Sequence, residues 1–319
     1  MSAAPLQLGI VGAGGAASLI AGALPDAPRV QLRACAAGTA DSARRFAAPL
    51  GVPAYDTMDA LLADKGIEAV YLATPNSLHH AQTHAALRAG KHVLVEKPMA
   101  LLASEAEQTM ALATELGRVV GVGFHLRHSD VCRALKDQLE GDAIGEPRLV
   151  HAAWGMPLGK LQGWKDDPAR AGAGSLMGLG VHVLDLLLWL MDGDIEPMAA
   201  VSDRRGDRLD RTFLAFMAAG DCLIELAVSR DHPIGGSLSV YGTRGERHAE
   251  NALTTRAEGV LHDGAGATFV TNVQNPYATQ LNAFADAVRG GGEFHADASD
   301  GARSVALTEA LLSATSQGP

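Results

Sequence analysis

The strongest constraint on this chain is the regular alternation of strand-like and helix-like segments over its first 125 residues. "LQLGIV" reads as a buried strand, and a glycine turn leads from it into a small-residue helix ending near Pro25. "VQLRACAA" is a second strand, and "DSARRFAAPLG" a helix with Asp41 expected as its N-cap and Gly51 just past its end. Thr57 is placed to cap "MDALLAD", after which strand "EAVYLAT", helix "SLHHAQTHAALRAG" and strand "HVLVEK" follow. The next helix is expected to open with Ser104 and Glu107 in capping-box spacing, and strand "RVVGVGF" closes the series. Parallel strands need crossover connections, usually helices, so this alternation predicts an α/β layer: a doubly wound parallel sheet covered on both faces.

Past His125 the pattern changes. A helix over residues 130–139 leads to strand "RLVHAAW", a loop, and the glycine-rich apolar helix "AGAGSLMGLGVHVLDLLLWL". The strand-like runs "PMAAVSD", "RTFLAFMA", "CLIELAVSR" and "SLSVYGT" then succeed one another without helices between them. Runs of that kind predict a largely antiparallel open sheet, and the second half is α+β. Helices over 276–290 and 300–313 close the chain. The expected division is 1–125, 126–299, and a C-terminal helix at 300–319 that packs back on the first domain.

Composition narrows the partners. The formal net charge is −10, which argues against a general nucleic-acid or anionic-membrane surface. Cys35, Cys132 and Cys222 are scattered and lack C-x-x-C spacing, so no disulfide framework or thiolate metal site is expected and a reducing cytoplasm fits. "MSAAPLQLGIVGAGG" has no basic segment before its apolar run, unlike a signal peptide. The apolar run at 183–191 is too short to span a bilayer and carries Asp185. A soluble cytoplasmic protein with a small-molecule partner is expected, with no nucleic-acid and no membrane partner.

"GIVGAGGAA" supplies Gly12-x-Gly14-x-x-Ala17 between the first strand and first helix. Gly12 allows the tight turn, Gly14 lets the backbone approach a pyrophosphate, and the helix start at Gly15 and Ala16 offers N–H groups to phosphate oxygens. A dinucleotide site is the expectation. The second strand ends Ala36-Ala37-Gly38-Thr39, with no acid to hold the ribose hydroxyls. That absence, with Thr39, Arg44 and Arg45 nearby, favours NADP(H) over NAD(H), although Asp41 and both arginines also read as ordinary helix residues. Glu96-Lys97-Pro98 stands at the carboxyl end of the fifth strand, where doubly wound folds place ligands. Lys97 there can serve proton transfer, or form a surface pair with Glu96; spacing alone does not separate the two.

Carried by "GIVGAGGAA", "YLATPNSLHHAQTHAALRAGKHVLVEKPMA", the glycine-rich helix ending in His182 and Asp185, and "LSVYGTRGE", the chain resembles the Gfo/Idh/MocA oxidoreductases over nearly its whole length. "GFHLRHSDVCRALKDQLEGDAIGEPRLV" and "LQGW" are most similar to the branch of NADPH-dependent 1,5-anhydro-D-fructose reductases. The resemblance implies a Rossmann cofactor domain followed by an α+β domain whose open sheet carries substrate contacts and, in many members, an oligomer interface. It implies Lys97 and His182 as the proton-transfer residues, and Thr74, Pro75, Asn76, His79, Glu96 and Lys97 itself as cofactor contacts, with a sugar or related hydroxy or carbonyl compound as substrate. In one respect the chain departs from the pattern: members commonly carry aspartate where "GSLMGLGVH" has Gly178. Asp185, one turn past His182, is a candidate substitute, or else a structural carboxylate.

His125 and Arg127 are candidates for the edge of the substrate pocket or for a domain link, and Trp164 for stacking on a sugar ring or a surface contact. His80 and His84 have i,i+4 spacing without a third ligand, so no metal site is expected. Alongside the oxidoreductase stand two other classes: a catalytically silent cofactor-binding regulator, and an NAD-dependent glycosidase of the same fold. Gly178 favours the regulator, Lys97 and His182 count against it, and the missing ribose-binding acid counts against the glycosidase.

Overall fold

The computed structural model describes residues 4–204, 208–271, 273–292 and 294–317. The chain divides into two compact units, Met1–Gly123 with Tyr277–Ala302 and Phe124–Pro276 with Arg303–Pro319. This differs from the expected division at the carboxyl end: residues 277–302 return to the first unit, and 303–319 belong to the second. The helical pattern of the closing segments has no signal for which sheet they join.

In the first unit the expected alternation becomes β1 (Leu6–Val11), α1 (Gly15–Ala23), β2 (Val30–Ala36), α2 (Ala40–Ala47), β3 (Ala54–Tyr55) and α3 (Met58–Ala63). It continues through β4 (Ala69–Leu72), α4 (His79–Arg88), β5 (His92–Val95), α5 (Ala103–Leu116) and β6 (Val120–Val122). All strand pairs are parallel, in the order β3-β2-β1-β4-β5-β6. The chain therefore reverses direction across the sheet between β1 and β4, and the loops leaving those two strands diverge there, as in a Rossmann fold. Strand residues Leu8, Ile10, Val70, Leu72, Val93 and Val95 are fully or nearly fully buried, which is why these short strands read as continuous apolar runs.

Two caps differ from expectation. Thr39, not Asp41, caps α2: its Oγ1 accepts from the Ser42 N–H at 3.2 Å. At α5 the reaching carboxylate is Glu105, which accepts from the N–H groups of Leu101 and Leu102 at 3.2 and 3.4 Å, so the helix begins before Ser104. In both stretches several acceptors lie within one turn, and the preceding loop decides which meets the helix end. Thr57 caps α3 as expected.

In the second unit α6 (Asp130–Glu140), β7 (Pro147–Gly155), a short α7 (Pro168–Ala171) and α8 (Val181–Met191) precede a run of strands. These are β8 (Glu196–Ser202), β9 (Thr212–Ala219), β10 (Cys222–Ser229), β11 (Ser237–Gly242), β12 (Glu246–Glu250), β13 (Val260–His262) and β14 (Thr268–Thr271). Helix α9 (Pro276–Val288) follows, α10 (Ala298–Ser313) runs on from the first unit into the second, and β15 (Thr315–Gln317) pairs with β8. The sheet has nine strands in the order β14-β13-β12-β11-β7-β10-β9-β8-β15, antiparallel except at β7–β10 and β8–β15.

One face of this sheet carries the core. Val150, Ala152 and Trp154 of β7 and Ile224, Leu226 and Val228 of β10 pack with Val183, Leu184 and Leu187 of α8. The segment Pro168–Met191 is long and apolar enough to cross a membrane, longer than the run at 183–191 considered alone, but 83% of its most apolar 18-residue stretch is buried inside the protein. It is the central core helix of the unit.

Candidate active site

The turn after β1 sits where the strand order reverses. Gly12 has φ +125°, and a Cβ there would lie 2.2 Å from the carbonyl oxygen of Ala73, the residue that follows β4. Only glycine satisfies both conditions. Gly14 is the N-cap of α1 and has no side chain to satisfy the helix's first N–H groups; a Cβ on Gly14 or Gly15 would meet nothing within 4 Å. An open surface over unsatisfied N–H groups suits a pyrophosphate, so the residues present fit a dinucleotide. Ala16 lies in the first turn, with Ala17 buried beneath it.

At the tip of β2 the two residues expected at a 2′-phosphate are already engaged. Arg44 donates to Asp41 at 2.7 Å and to Asp56 at 3.1 Å, while Thr39 serves as the helix cap. Arg44, Asp41 and Asp56 are all well exposed, so these ion pairs are weak and readily exchanged.

Thr74, Pro75 and Asn76 follow β4, and Asn76 opens a short 3-10 turn; the Thr74 hydroxyl is bound to Gln82 Oε1 at 2.5 Å. His79 behaves differently from expectation. It is fully buried, with Nδ1 2.7 Å from Pro98 O and Nε2 2.9 Å from Thr74 O. Both ring nitrogens are thus directed at backbone, and the ring ties the loop after β4 to the one after β5 rather than facing a cofactor. Burial, with the nearby Lys97 charge as a lesser cause, pushes its pKa down, against the two carbonyls.

Glu96 and Lys97 follow β5 directly, both partly buried. Glu96 accepts a short hydrogen bond from the hydroxyl of Tyr71 on β4, a residue that sequence reasoning passed over as one more apolar strand position. Burial raises the Glu96 pKa, and Lys97 and Tyr71 pull it back.

In the second unit His182 is 6% exposed and ringed by aromatic side chains. His125 lies edge-on at 4.8 Å between centroids, Trp154 at 5.7 Å and Phe124 at 6.3 Å. His125 Nε2 is 2.9 Å from Thr254 O, so this histidine is also a wall held by the loop beyond β12. Phe124 and Trp154 are further residues that the sequence reading missed.

The glycine-rich segment is not a plain α-helix where it begins. Leu176–Gly180 form a π-type turn, in which i→i+5 bonds place an extra residue in the turn, so Gly178 and His182 do not stand one α-helical turn apart. Asp210 holds its start: its carboxylate accepts from Gly174 N at 2.6 Å, Ser175 Oγ at 2.5 Å and Leu176 N at 3.2 Å. A Cβ on Gly174 would stand 1.7 Å from Asp210 O, whereas one on Gly178 would meet nothing within 4 Å.

Two candidate substrate residues are paired with each other. Asp185 and Arg127, 0% and 3% exposed, form a two-pronged ion pair with Nε–Oδ2 at 2.8 Å and Nη2–Oδ1 at 2.6 Å. Each offsets the other's charge inside the core, as the structural alternative for Asp185 expects. Trp164 is partly buried in a 3-10 turn, with Lys165 Nζ 5.9 Å above its ring. Among the described residues no group of three or more His, Cys, Asp or Glu side chains could hold a metal, and His80 and His84 bond instead to Glu105 O and Thr109.

A family profile described as an oxidoreductase family with an NAD-binding Rossmann fold matches residues 6–124, and the GFO/IDH/MocA C-terminal domain profile matches 132–247. The chain belongs to the Gfo/Idh/MocA oxidoreductases. Among curated members, a 1,5-anhydro-D-fructose reductase of Ensifer adhaerens is 32% identical over 82% of this chain and 81% of its own length. A dTDP-3,4-didehydro-2,6-dideoxy-alpha-D-glucose 3-reductase of Actinomadura kijaniata is 28% identical over 97% and 96%. A solved 3-ketoreductase from that organism, in complex with NADP and TDP-benzene, superposes with a TM-score of 0.90 at 26% identity, covering 98% of each chain. Like these members, the chain is an oxidoreductase acting on CH–OH or C=O groups.

Proposed function

We propose that this family member is an NADP(H)-dependent oxidoreductase of sugar-like hydroxy and carbonyl compounds, with Lys97 as the residue that moves the proton. The reading is carried by one juxtaposition within the first unit: the Gly12–Gly15 turn leaves the carboxyl end of β1 and Lys97 that of β5, with only β4 between the two strands. A bound nicotinamide supplies or accepts the hydride. Lys97 donates a proton to the substrate oxygen in reduction or withdraws one in oxidation, and Glu96 beside it sets how tightly that proton is held. His182, in its aromatic enclosure in the second unit, is the second proton-carrying candidate. The preference for NADP(H) is supported by a β2 that ends without a carboxylate, by Arg44 held only through exposed and exchangeable pairs, and by relatives solved with NADP.

The test is turnover with NADPH and NADP+ against a panel of ketoses, aldoses, inositols and 1,5-anhydro-D-fructose. Lys97→Met keeps NADPH affinity and loses about 10²- to 10⁴-fold in kcat; a variant with wild-type turnover overturns the assignment. Equal affinity for NADH and NADPH overturns the cofactor preference.

The open face of the nine-stranded sheet supports self-association. Leu149, Leu214, Phe216 and Leu223 stand on adjacent strands β7, β10 and β9, between 43% and 54% exposed, and alternate with buried neighbours. Monomeric proteins seldom expose contiguous apolar surface of this kind. A second copy pairing through this face predicts a dimer by light scattering that Phe216→Asp converts to monomer. The three buried cysteines, none in a disulfide, suit a reducing cytoplasm.

A further inference from the structure

Tyr71 occupies a central strand whose other residues, Ala69, Val70 and Leu72, are apolar and buried. Phenylalanine would fill the same space. A hydroxyl in the middle of a sheet costs its desolvation unless it is bonded, and the bond found for this one is to Glu96 Oε1. The register explains the reach. Tyr71 pairs with Leu94 on β5, and Glu96 lies two residues further along on the same face.

The partly buried carboxyl has neighbours on its other sides as well. Tyr277 of α9 is 6% exposed and couples electrostatically to Glu96, its own pKa pushed far up by burial and then by that carboxylate. On the β6 side stands Gly123, where a Cβ would come within 3.1 Å of Glu96 Oε1. The groups that act on Glu96 include Tyr71, Tyr277 and Lys97, and Lys97 also acts on the imidazole of His79.

We propose that Tyr71 is a positioning residue for Lys97, acting through Glu96: its hydroxyl keeps the partly buried carboxylate ionised and aimed, and the carboxylate keeps the lysine protonated. This rests on the proton-transfer role given to Lys97. The sign follows from the bonds. A hydroxyl donating to a carboxylate favours its charged form. Without it, burial dominates, Glu96 takes up a proton at higher pH, and the negative charge beside Lys97 weakens. The Lys97 pKa then falls.

The experiment measures Lys97 itself, needs no substrate, and uses the full-length protein. Its rate of acetylation by acetic anhydride is followed by mass spectrometry from pH 6 to pH 11, with the other lysines as internal references. Tyr71→Phe should lower the Lys97 midpoint by about half to one pH unit, so that labelling below the midpoint rises about three- to tenfold. Glu96→Gln should shift it further in the same direction, and decides the matter if Tyr71→Phe does not fold. A Lys97 midpoint that stays in place or rises in whichever variant folds overturns the proposal. Turnover of Lys97→Met answers separately: if it persists, the proton-transfer role fails while the coupling of Tyr71, Glu96 and Lys97 stands on the labelling alone.

Discussion

Two glycine-rich segments open helices in this chain, and their glycines serve different neighbours. In "GAGGAA", residues 12–17, Gly12 is required by its left-handed φ and by the Ala73 carbonyl, but Gly14 and Gly15 press on nothing. In "AGAGSLMGLG", residues 171–180, Gly172 has φ +84°, Gly174 lies against Asp210 O, and Gly180 fits against Leu176 and Val228. A Cβ on Gly178 would meet nothing within 4 Å. A glycine with empty space beside it awaits a ligand or nothing at all, whereas one pressed on backbone belongs to the protein's own packing.

Substitutions separate the two kinds. Gly174→Ala should have the largest effect, about 4 kcal/mol of lost stability in urea unfolding, because the methyl collides with a backbone oxygen that cannot rotate away. A loss under about 1 kcal/mol would show that the second segment is as loosely packed as the first. Asp185→Asn tests the same region one step deeper: about 3 kcal/mol should be lost through the Arg127 charge left poorly compensated in the core. A substrate-binding Asp185 would instead leave stability intact and raise KM.

On the other side of the comparison, Gly14→Val should leave the melting temperature within a degree or two. Isothermal titration should nonetheless show NADPH binding weakened about tenfold or more, near 1.4 kcal/mol, since the side chain enters the space reserved for the pyrophosphate. Unchanged affinity would remove the phosphate site from this turn. The smallest effect belongs to Gly178→Ala, which should stabilise the protein by about 0.5–1 kcal/mol through reduced backbone freedom in the unfolded chain. A destabilising result would mean that the turn around Gly178 needs glycine after all.

The features legible beforehand are those whose causes lie close together in sequence. Gly12, the Thr57 cap and the placement of Lys97 at a strand end are each set within a few residues. Even local signals blur when acceptors crowd one turn, as with Thr39 beside Asp41 and Glu105 beside Glu107. Illegible were the pairings between distant segments. Arg127 and Asp185 are 58 residues apart, and each alone looks like a polar residue near a pocket. His79 reaches Pro98 19 residues on, and Tyr71 reaches Glu96 25 residues on. The π-type turn also has no spacing signal, because the sequence around it suits an α-helix equally well.

By itself the sequence determined the class: periodicity and turn chemistry dictate parallel strands with crossover helices, then an antiparallel sheet, and a glycine turn and a lysine at strand ends. Only the tertiary structure decided which polar groups are left to do chemistry. A side chain's availability depends on what lies across from it, and that is set by strand register and by helices arriving from elsewhere in the chain. So Asp185, Arg127 and His79 are taken up by the protein's own groups, while Tyr71, unremarked in its strand, stands behind Glu96 and Lys97.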